Sequence, residues 1–358
     1  MDHEGRITKL RQKVDALEID ALLVTDLTNV RYLTGFSGSN GQVLVTESEA
    51  YFFSDGRYAA RAADLVQGAE IDIYGARLVD VLNPRLNSGG IKRLGIEAET
   101  MTLADRDDLD KRVDDVELIP MKNLVEALRR VKDADEVAHL RQAVEIGDAA
   151  FSWLLTKLAP GQSERDVALE LEIWIRQHGA DEISFDPIVG SGELSAHIHH
   201  TPSHRQFEKG DLVLLDFGSR KDGYCSDLTR TVVLGPASDR QRELYDLVLE
   251  AQVAGIAALE AGADGVSVDA AARKVIEDAG HGDDFGHGLG HGVGLDIHES
   301  PRLHRISEDT LLEGDVVTVE PGVYLPGWGG VRIEDCVLVT EDGCEVLGSA
   351  PKDALIEL

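Results

Sequence analysis

The sequence predicts a mixed α/β (α+β) protein of two domains, an amino-terminal α/β domain over residues 1–125 and a second domain over residues 132–358. Two observations predict this class. Short apolar runs alternate with segments of helical periodicity up to about residue 110, and longer helical patterns and strand-like runs follow. The 358 residues, 43% of them apolar, are enough for two substantial cores.

In the first domain the predicted elements follow from the spacing of apolar residues. Ile7, Leu10 and Val14 repeat at a helical interval, and residues 21–25 have the composition of a buried strand. Further strands are predicted at 50–54, 70–74 and 93–97, and further helices at 55–66 and 103–110. This alternation is typical of a compact α/β unit.

Longer helical patterns begin near the predicted domain boundary. They cover residues 124–131, 134–158, 164–179 and 239–259. Lys132-Asp133 separates the first two patterns, so the boundary between the domains falls near residues 120–135.

Two apolar runs at 213–218 and 224–234 predict a β-hairpin across the intervening Ser219-Arg-Lys-Asp-Gly223. A turn centred on Lys221-Asp222 would place Asp216 directly opposite Asp227. A turn centred on Asp222-Gly223 would make the two carboxylates diagonal neighbours on one face, and a three-residue loop would put them on opposite faces. In the first two registers both carboxylates can ionise at low cost only beside a bound cation.

A glycine-rich segment and two apolar runs carry the other candidate residues. Glycine at every second position from Gly286 to Gly294 disfavours a helix, and extended backbone would place His287, Leu289 and His291 on one face. Residues 316–324 and 329–339 predict two strands that deliver Glu320 and Glu334, respectively. Arg332 would lie on the same face as Glu334 and could order a carboxylate.

Five of these side chains can bind hard metal ions: Asp216, Asp227, His291, Glu320 and Glu334. When deprotonated, the four carboxylates carry a formal charge of four minus, which two divalent cations would cancel. Each residue alone could have an ordinary role, such as capping a turn or filling a core. Together they predict a hydrolase site with two metal ions.

The motifs around these residues resemble those of the pita-bread metallopeptidases, which include Xaa-Pro aminopeptidases, Xaa-Pro dipeptidases (prolidases), methionine aminopeptidases and creatinase. The resemblance covers nearly the whole chain, and the family's ligand order Asp, Asp, His, Glu, Glu matches the five residues in order. It implies a creatinase-like amino-terminal domain followed by a pita-bread catalytic domain. Residues 29–38 resemble the first domain, which methionine aminopeptidases lack, and creatinase lacks the metal ligands.

The resemblance implies a dinuclear-metal exopeptidase that cleaves the Xaa-Pro bond at the amino terminus of peptides. The first choice is an Xaa-Pro aminopeptidase and the alternative is a strict Xaa-Pro dipeptidase. A catalytically silent binding protein and a creatinase-type C–N hydrolase are remote alternatives. The two divalent ions would be Mn²⁺ or Co²⁺, with Zn²⁺ or Fe²⁺ as further options. Proline-containing peptides would be the substrates.

The resemblance also implies roles for individual residues. Glu320 would shuttle a proton as well as bind metal, and Arg332 belongs to the catalytic set. His287 and His298 would contact the substrate and stabilise the tetrahedral intermediate. A third histidine is assigned to His199, but Ile198 stands where the family has proline, so His197 and His200 remain open.

The charge of the chain adds a prediction about its surroundings. A net charge of −31 arises from 66 acidic against 35 basic residues. Many soluble enzymes are acidic, but this excess is large, and molar salt would screen its self-repulsion by shortening the Debye length to roughly 3 Å. We therefore predict adaptation to a salt-rich cytoplasm. The charge also argues against binding nucleic acid or anionic membranes.

The cysteines and the amino terminus favour a cytoplasmic protein. Cys225, Cys336 and Cys344 are odd in number and lack CxxC spacing, so we expect neither a disulfide framework nor a thiolate zinc site. No segment has the pattern of a signal peptide or of a membrane span. Relatives with this two-domain plan are often dimers, so the resemblance implies a homodimer.

Overall fold

The structure is a computed structural model that describes residues 1–358. The chain divides into two compact units, Met1–Arg129 and Arg130–Leu358. Both units mix helices with sheets, which confirms the predicted mixed α/β class. The predicted domain bounds, 1–125 and 132–358, stay a proposal about where the chain can be divided.

The first unit contains six helices and one sheet. Its helices are α1 His3–Asp15, α2 Leu27–Thr34, α3 Ala59–Leu65, α4 Val79–Ser88, α5 Leu103–Asp110 and α6 Glu126–Arg129. Its strands are β1 Ala21–Val24, β2 Gln42–Thr46, β3 Ala50–Asp55, β4 Glu70–Tyr74, β5 Arg93–Glu97 and β6 Glu117–Met121.

The sheet of the first unit is mixed, with strand order β4-β3-β2-β1-β5-β6. β1 is buried along its whole length because it lies between β2, which it pairs antiparallel, and β5, which it pairs parallel. β6 lies at one edge, where Pro120 can be accommodated because a proline has no N–H to give to a further strand.

The second unit contains four long helices, two short 3₁₀ helices and fourteen strands. The helices are α7 Ala134–Leu155, α8 Glu164–Gln177, α9 Asp239–Ala257 and α10 Gly265–Asp278, and the 3₁₀ helices are Gly192–Ala196 and Gly282–Asp284. The strands between α8 and α9 are β7 Glu182–Ile183, β8 Ile188–Ser191, β9 Leu212–Phe217, β10 Ser219–Lys221, β11 Tyr224–Cys225 and β12 Leu228–Val233. The later strands are β13 Gly290–Gly292, β14 Glu299–Leu303, β15 Val316–Val319, β16 Gly322–Leu325, β17 Gly329–Arg332, β18 Asp335–Thr340, β19 Gly343–Val346 and β20 Ile356–Glu357.

Each helix pair of the second unit covers one sheet. α7 and α8 share a core with the sheet β20-β12-β9-β8, and α9 and α10 share a core with the sheet β14-β13-β15-β18-β19. Side chains alternate along a strand, so each sheet also has a face turned away from its helices. Val213 and Leu215 of β9 belong to the helix-covered core, which leaves Asp216 on the other face.

Side-chain caps set where the helices of this unit begin. Asp133 accepts a hydrogen bond from the backbone N–H of Glu136, whose side chain returns the bond in a capping box. Ser163, Ser238 and Asp264 cap α8, α9 and α10, and each side chain accepts a hydrogen bond from the backbone N–H three residues later. None of the helices combines the length and the apolar character that crossing a membrane requires.

The helices differ from the predictions in their bounds and in their number. The helix predicted at 124–131 is shorter in the structure, where it covers only α6, Glu126–Arg129. Beyond α6, the Arg130 side chain pairs with Asp315 and the Lys132 N–H donates to the carbonyl of Gly314. Helices α2, α4 and α10 were not predicted, although in α10 Asp264 provides an N-cap and the buried Val268, Ala272 and Ile276 repeat at a helical interval.

Candidate metal centre

The hairpin that carries the two aspartates has a two-residue turn. Arg220 pairs with Cys225 and Lys221 with Tyr224, so Asp222 and Gly223 form the turn. Their φ angles of 49° and 87° are left-handed, as an Asp-Gly hairpin turn requires.

This turn fixes the relation between the two aspartates. Asp216 pairs with Thr229, two residues beyond Asp227, so the aspartates are diagonal neighbours on one face. The second of the predicted registers is confirmed. Both carboxylates lie on the face of the sheet that α7 and α8 leave open.

The predicted strands 316–324 and 329–339 are each broken close to their glutamate, which corrects the prediction of two continuous strands. Pro321 cannot donate to a ladder, so β15 ends at Val319 and β16 begins at Gly322. The second break falls between β17 and β18, where the Glu334 N–H donates to the carbonyl of Thr229, 3.1 Å away, on β12. The breaks free both glutamates from a regular strand and turn them toward the hairpin.

The glycine-rich segment is also less regular than predicted, because only Gly290–Gly292 forms a strand. The His291 N–H donates to Thr318 Oγ1 at 3.1 Å, and the Glu320 N–H donates to the carbonyl of Leu289 at 2.8 Å. A Cβ at Gly290 would lie 2.0 Å from the carbonyl oxygen of Thr318, so this close approach requires glycine. The glycines therefore bring the His291 backbone against β15.

The structure brings the five predicted ligands together. The nearest ligand atoms of Asp227, His291 and Glu334 all lie within 4.8 Å of one another. His291 Nε2 is 3.7 Å from Asp227 Oδ2 and 3.5 Å from Glu320 Oε1. Asp216 is close enough that its charge raises the pKa values of Asp227, Glu320 and Glu334.

The electrostatics of this cluster favour a cation. Burial, and then the charges of the neighbouring carboxylates, raise the pKa values of Asp227 and Glu334 well above their usual range. Burial raises the pKa of Glu320 to about 8. Burial also lowers the pKa of His291 to about 4, so this imidazole is neutral at pH 7. Without a cation, the Glu320 carboxyl group holds a proton at pH 7 that a bound metal would replace.

The donor atoms fit divalent metal ions. Asp216 Oδ1, Asp227 Oδ1 and Glu334 Oε1 are buried and have no hydrogen-bond partner, which is costly for carboxylate oxygens unless an ion binds them. His291 Nδ1 lies 3.0 Å from the carbonyl oxygen of Gly292 and so carries the proton, which leaves the Nε2 lone pair facing the carboxylates. Four carboxylates and one neutral imidazole suit Mn²⁺, Co²⁺, Zn²⁺ or Fe²⁺.

Hydrogen bonds from Thr229 and Arg332 orient the carboxylates of Glu334 and Asp216. The Thr229 hydroxyl donates to Glu334 Oε2 at 2.6 Å and accepts from Arg332 Nε at 3.1 Å. Arg332 Nη2 donates to Asp216 Oδ2 at 2.5 Å, and this guanidinium is almost completely buried. Arg332 therefore balances part of the carboxylate charge and fixes two of the ligands.

Tyr324 connects Arg332 to His287, and the sequence analysis did not single it out. His287 Nδ1 lies 2.8 Å from the carbonyl oxygen of Gly288 and so carries the proton. Burial lowers the pKa of His287 to about 3, so its Nε2 accepts a hydrogen bond from the Tyr324 hydroxyl at 2.9 Å. The same hydroxyl accepts from Arg332 Nη1 at 2.8 Å. Both ring nitrogens of His287 are thus engaged within the protein.

The remaining predicted histidines lie at different distances from the cluster. The His298 ring contacts that of His291 edge to face, with ring centroids 4.4 Å apart. Burial lowers the pKa values of His287 and His298, and the charge of His199 contributes to both shifts. His200 instead binds Glu164, at 2.8 Å, and His197 is exposed beside His200. Among the three upstream histidines, His199 is the one whose charge acts on His287 and His298.

Arg302 is a second residue that the sequence analysis did not single out. It pairs with His291 across β13 and β14, and its charge contributes to the lowered pKa values of His291 and His298. Its guanidinium is exposed and makes no ion pair. The only local signal is a positive charge four residues after His298, so the sequence alone gives little reason to select it.

Comparisons with known proteins agree with this geometry. Residues 138–341 match the model of metallopeptidase family M24, and residues 6–131 match the creatinase/prolidase N-terminal domain. The chain is 44% identical to the uncharacterized peptidase YqhT of Bacillus subtilis, over 98% of this chain and 99% of that protein.

Solved structures show the same fold over the whole chain. An Xaa-Pro dipeptidase from Bacillus anthracis superposes with a TM-score of 0.97 at 42% identity, covering 99% of this chain and 100% of that one. An X-Pro aminopeptidase from Thermotoga maritima gives a TM-score of 0.92 at 34% identity, covering 97% and 100%.

Proposed function

Since the chain belongs to metallopeptidase family M24 and carries a creatinase/prolidase N-terminal domain, we propose that it hydrolyses Xaa-Pro dipeptides with two divalent metal ions. The chain is a metallopeptidase of the pita-bread fold. The observation that carries the proposal is the cluster of Asp216, Asp227, His291, Glu320 and Glu334, three of whose buried carboxylate oxygens have no partner in the protein.

Arg302 supports a dipeptide as the substrate. In Xaa-Pro the free carboxylate lies one residue beyond the scissile bond, so it must be accommodated close to the metal ligands. Arg302 provides an exposed, unpaired positive charge on the strand next to His291. In a chain of net charge −31, a free arginine beside a cluster of carboxylates is a specific feature that an anionic group can use.

The residues around the cluster have separate tasks in this proposal. When bound, the metal ions would polarise the scissile carbonyl and lower the pKa of a water molecule. Glu320 takes the proton of the attacking water and passes it to the departing proline nitrogen. His199 and His298 donate to the oxyanion that develops on the carbonyl. His287, whose nitrogens are both engaged, contacts the substrate with its ring and keeps Tyr324 and Arg332 in place.

The second candidate is the Xaa-Pro aminopeptidase that the sequence favoured first. The structure of the Thermotoga maritima X-Pro aminopeptidase, at 34% identity, supports it. The Xaa-Pro dipeptidase from Bacillus anthracis is more similar, at 42% identity, which is why we place the dipeptidase first. In an aminopeptidase the chain continues beyond proline, so Arg302 would have no carboxylate to bind there.

The test compares three substrates in molar KCl with Mn²⁺ or Co²⁺: Ala-Pro, its amide Ala-Pro-NH₂, and Ala-Pro-Ala-Ala. A dipeptidase cleaves Ala-Pro far better than the other two, and chelation abolishes the activity. Efficient cleavage of Ala-Pro-Ala-Ala identifies the aminopeptidase instead. If the protein binds two metal ions and cleaves none of the three, the assignment to Xaa-Pro bonds is wrong.

Several finer predictions belong to the same proposal. We propose Mn²⁺ or Co²⁺ as the metal, proline-containing peptides as the substrates and a homodimer as the assembly. We also propose a cytoplasmic enzyme adapted to high salt, on the basis of the net charge of −31.

A further inference from the structure

Glu164 is a completely buried carboxylate outside the metal cluster, and it accepts five hydrogen bonds. It lies in the first turn of α8. Oε1 accepts from the Ser191 N–H at 2.8 Å and from the Ser191 hydroxyl at 2.7 Å. Oε2 accepts from His200 Nε2 at 2.8 Å, from the Ser203 N–H at 3.0 Å and from the Ser203 hydroxyl at 2.7 Å.

These hydrogen bonds keep Glu164 ionised although it is buried. Burial alone would raise the pKa of Glu164, but the hydrogen bonds from His200, Ser203 and Ser191 outweigh burial and lower it. The carboxylate is therefore a stable acceptor with no free lone pair directed at solvent. Nothing in the proposed reaction uses it, and it lies on a different element from every metal ligand.

The five hydrogen bonds join the two ends of one segment, residues 191–203. This segment contains the 3₁₀ helix Gly192–Ala196 and then His199. Pro202 is the only proline of this segment, so no pyrrolidine ring restricts the backbone of residues 192–201. A second anchor lies in the 3₁₀ helix, where the Ser195 hydroxyl oxygen accepts from the Gly330 N–H at 2.8 Å.

His199 depends on these anchors because it has no anchor of its own. Its side chain is exposed and makes no hydrogen bond within the protein, yet its charge acts on His287 and His298. Its neighbour His200 is the only residue of 197–200 whose side chain makes a hydrogen bond, and the partner is the buried Glu164. The backbone of His199 is thus held between the His200–Glu164 hydrogen bond on one side and the Ser195 contact on the other.

We propose that Glu164 is a positioning residue for the reaction: through His200, Ser191 and Ser203, its carboxylate holds the segment 191–203 so that His199 lies beside the metal cluster. The proposal rests on the proposed function, in which His199 donates to the oxyanion. Displacing a catalytic group by about 1 Å can cost on the order of a hundredfold in rate, so the loss of this anchor is measurable.

The first test is a double-mutant cycle in the metal-loaded protein with Ala-Pro as the substrate. Glu164→Gln keeps the size but places an amide NH₂ against groups that all donate. We expect it to lower kcat about tenfold or more with KM changed less than about twofold. In the His199→Ala background the same substitution should lower kcat less than about twofold, because its effect passes through His199.

Matched controls separate positioning from general damage. Glu170→Gln changes an exposed carboxylate of the same helix, and His204→Gln changes an exposed histidine one residue beyond Ser203. Both should leave kcat unchanged, whereas His200→Gln should lower kcat in the same direction as Glu164→Gln. Equal loss of kcat from Glu164→Gln with and without His199 would overturn the proposal.

The second test needs no activity and so separates this inference from the proposed function. Hydrogen–deuterium exchange of the metal-loaded protein should show faster exchange at residues 192–202 in Glu164→Gln than in wild type. Exchange in β9, which carries Asp216, and in β12, which follows Asp227, should stay the same. Unchanged exchange at 192–202 would show that Glu164 does not hold the segment, whatever peptides the enzyme cleaves.

Discussion

Replacing Tyr324 by phenylalanine removes one hydroxyl that joins His287 to Arg332. The hydroxyl donates to His287 Nε2 at 2.9 Å and accepts from the charged Arg332 Nη1 at 2.8 Å. A neutral hydrogen bond contributes about 1 kcal/mol and a bond to a charged group about 1.5–3 kcal/mol. Because the side chain is buried, no water replaces either bond, so we expect a loss of about 2–4 kcal/mol.

For a domain of this size, that loss lowers the melting temperature by about 5–15 °C. The measurement is thermal denaturation of the chelated protein followed by circular dichroism, so that metal binding does not contribute. Tyr245→Phe is the matched control, because Tyr245 is equally buried but its hydroxyl makes one hydrogen bond, to the carbonyl of Lys352 at 2.9 Å.

The control should lower the melting temperature by only a few degrees and leave kcat unchanged. Tyr324→Phe should lower kcat as well, because Arg332 also holds Asp216 and Thr229. If Tyr324→Phe shifts the melting temperature no more than Tyr245→Phe and keeps full kcat, then Tyr324 does not connect His287 to Arg332 as the structure indicates.

The metal-free protein should lose stability as the pH rises from about 4.5 towards 8, because folding raises the pKa of Glu320 from 4.5 to about 8 and the folded state then binds more protons than the unfolded state. The gain in melting temperature on adding Mn²⁺ should therefore be larger at pH 8 than at pH 6, and an equal gain at both would contradict proton displacement. Asp227→Asn should stabilise the chelated protein at pH 8, since it removes a negative charge buried among other carboxylates, yet it should abolish the gain in melting temperature from Mn²⁺. A full gain would show that Asp227 is not a metal ligand. Arg302→Gln should lower kcat/KM for Ala-Pro about ten- to a hundredfold but hardly affect Ala-Pro-NH₂, with Arg305→Gln as the exposed control, and equal losses on both substrates would exclude a carboxylate contact. The melting temperature should rise between 0.1 and 2 M KCl by several degrees or more, and a flat response would contradict adaptation to salt.

The five proposed metal ligands could be selected from the sequence because each stands in a segment with a recognisable backbone pattern. Asp216 lies near the end of an apolar strand, and His291 lies in a glycine run that only extended or irregular backbone can form. The sequence left open the register of the hairpin and did not give the breaks in the later strands. The position of the hairpin turn decides whether Asp216 faces Asp227 or Thr229, and three turns were compatible with the sequence.

The residues that the sequence did not reveal act through distant partners. Tyr324 meets His287, 37 positions earlier, and Glu164 meets His200, 36 positions later. No periodicity or spacing marks such pairs, because the fold alone brings them together. The predicted strand at Glu320 is broken for a local reason that is visible in the sequence: Pro321 follows Glu320 directly and cannot extend a ladder.

The most direct test of the account measures Ala-Pro hydrolysis as a function of the number of metal ions bound per chain. The chelated protein is equilibrated with increasing Mn²⁺ or Co²⁺, and bound metal is determined by elemental analysis on the same samples. We predict no activity without metal, full activity at two ions per chain, and no activity in Asp227→Asn at any occupancy. Hydrolysis by the metal-free protein, or an inactive protein with two ions bound, would contradict the central claim.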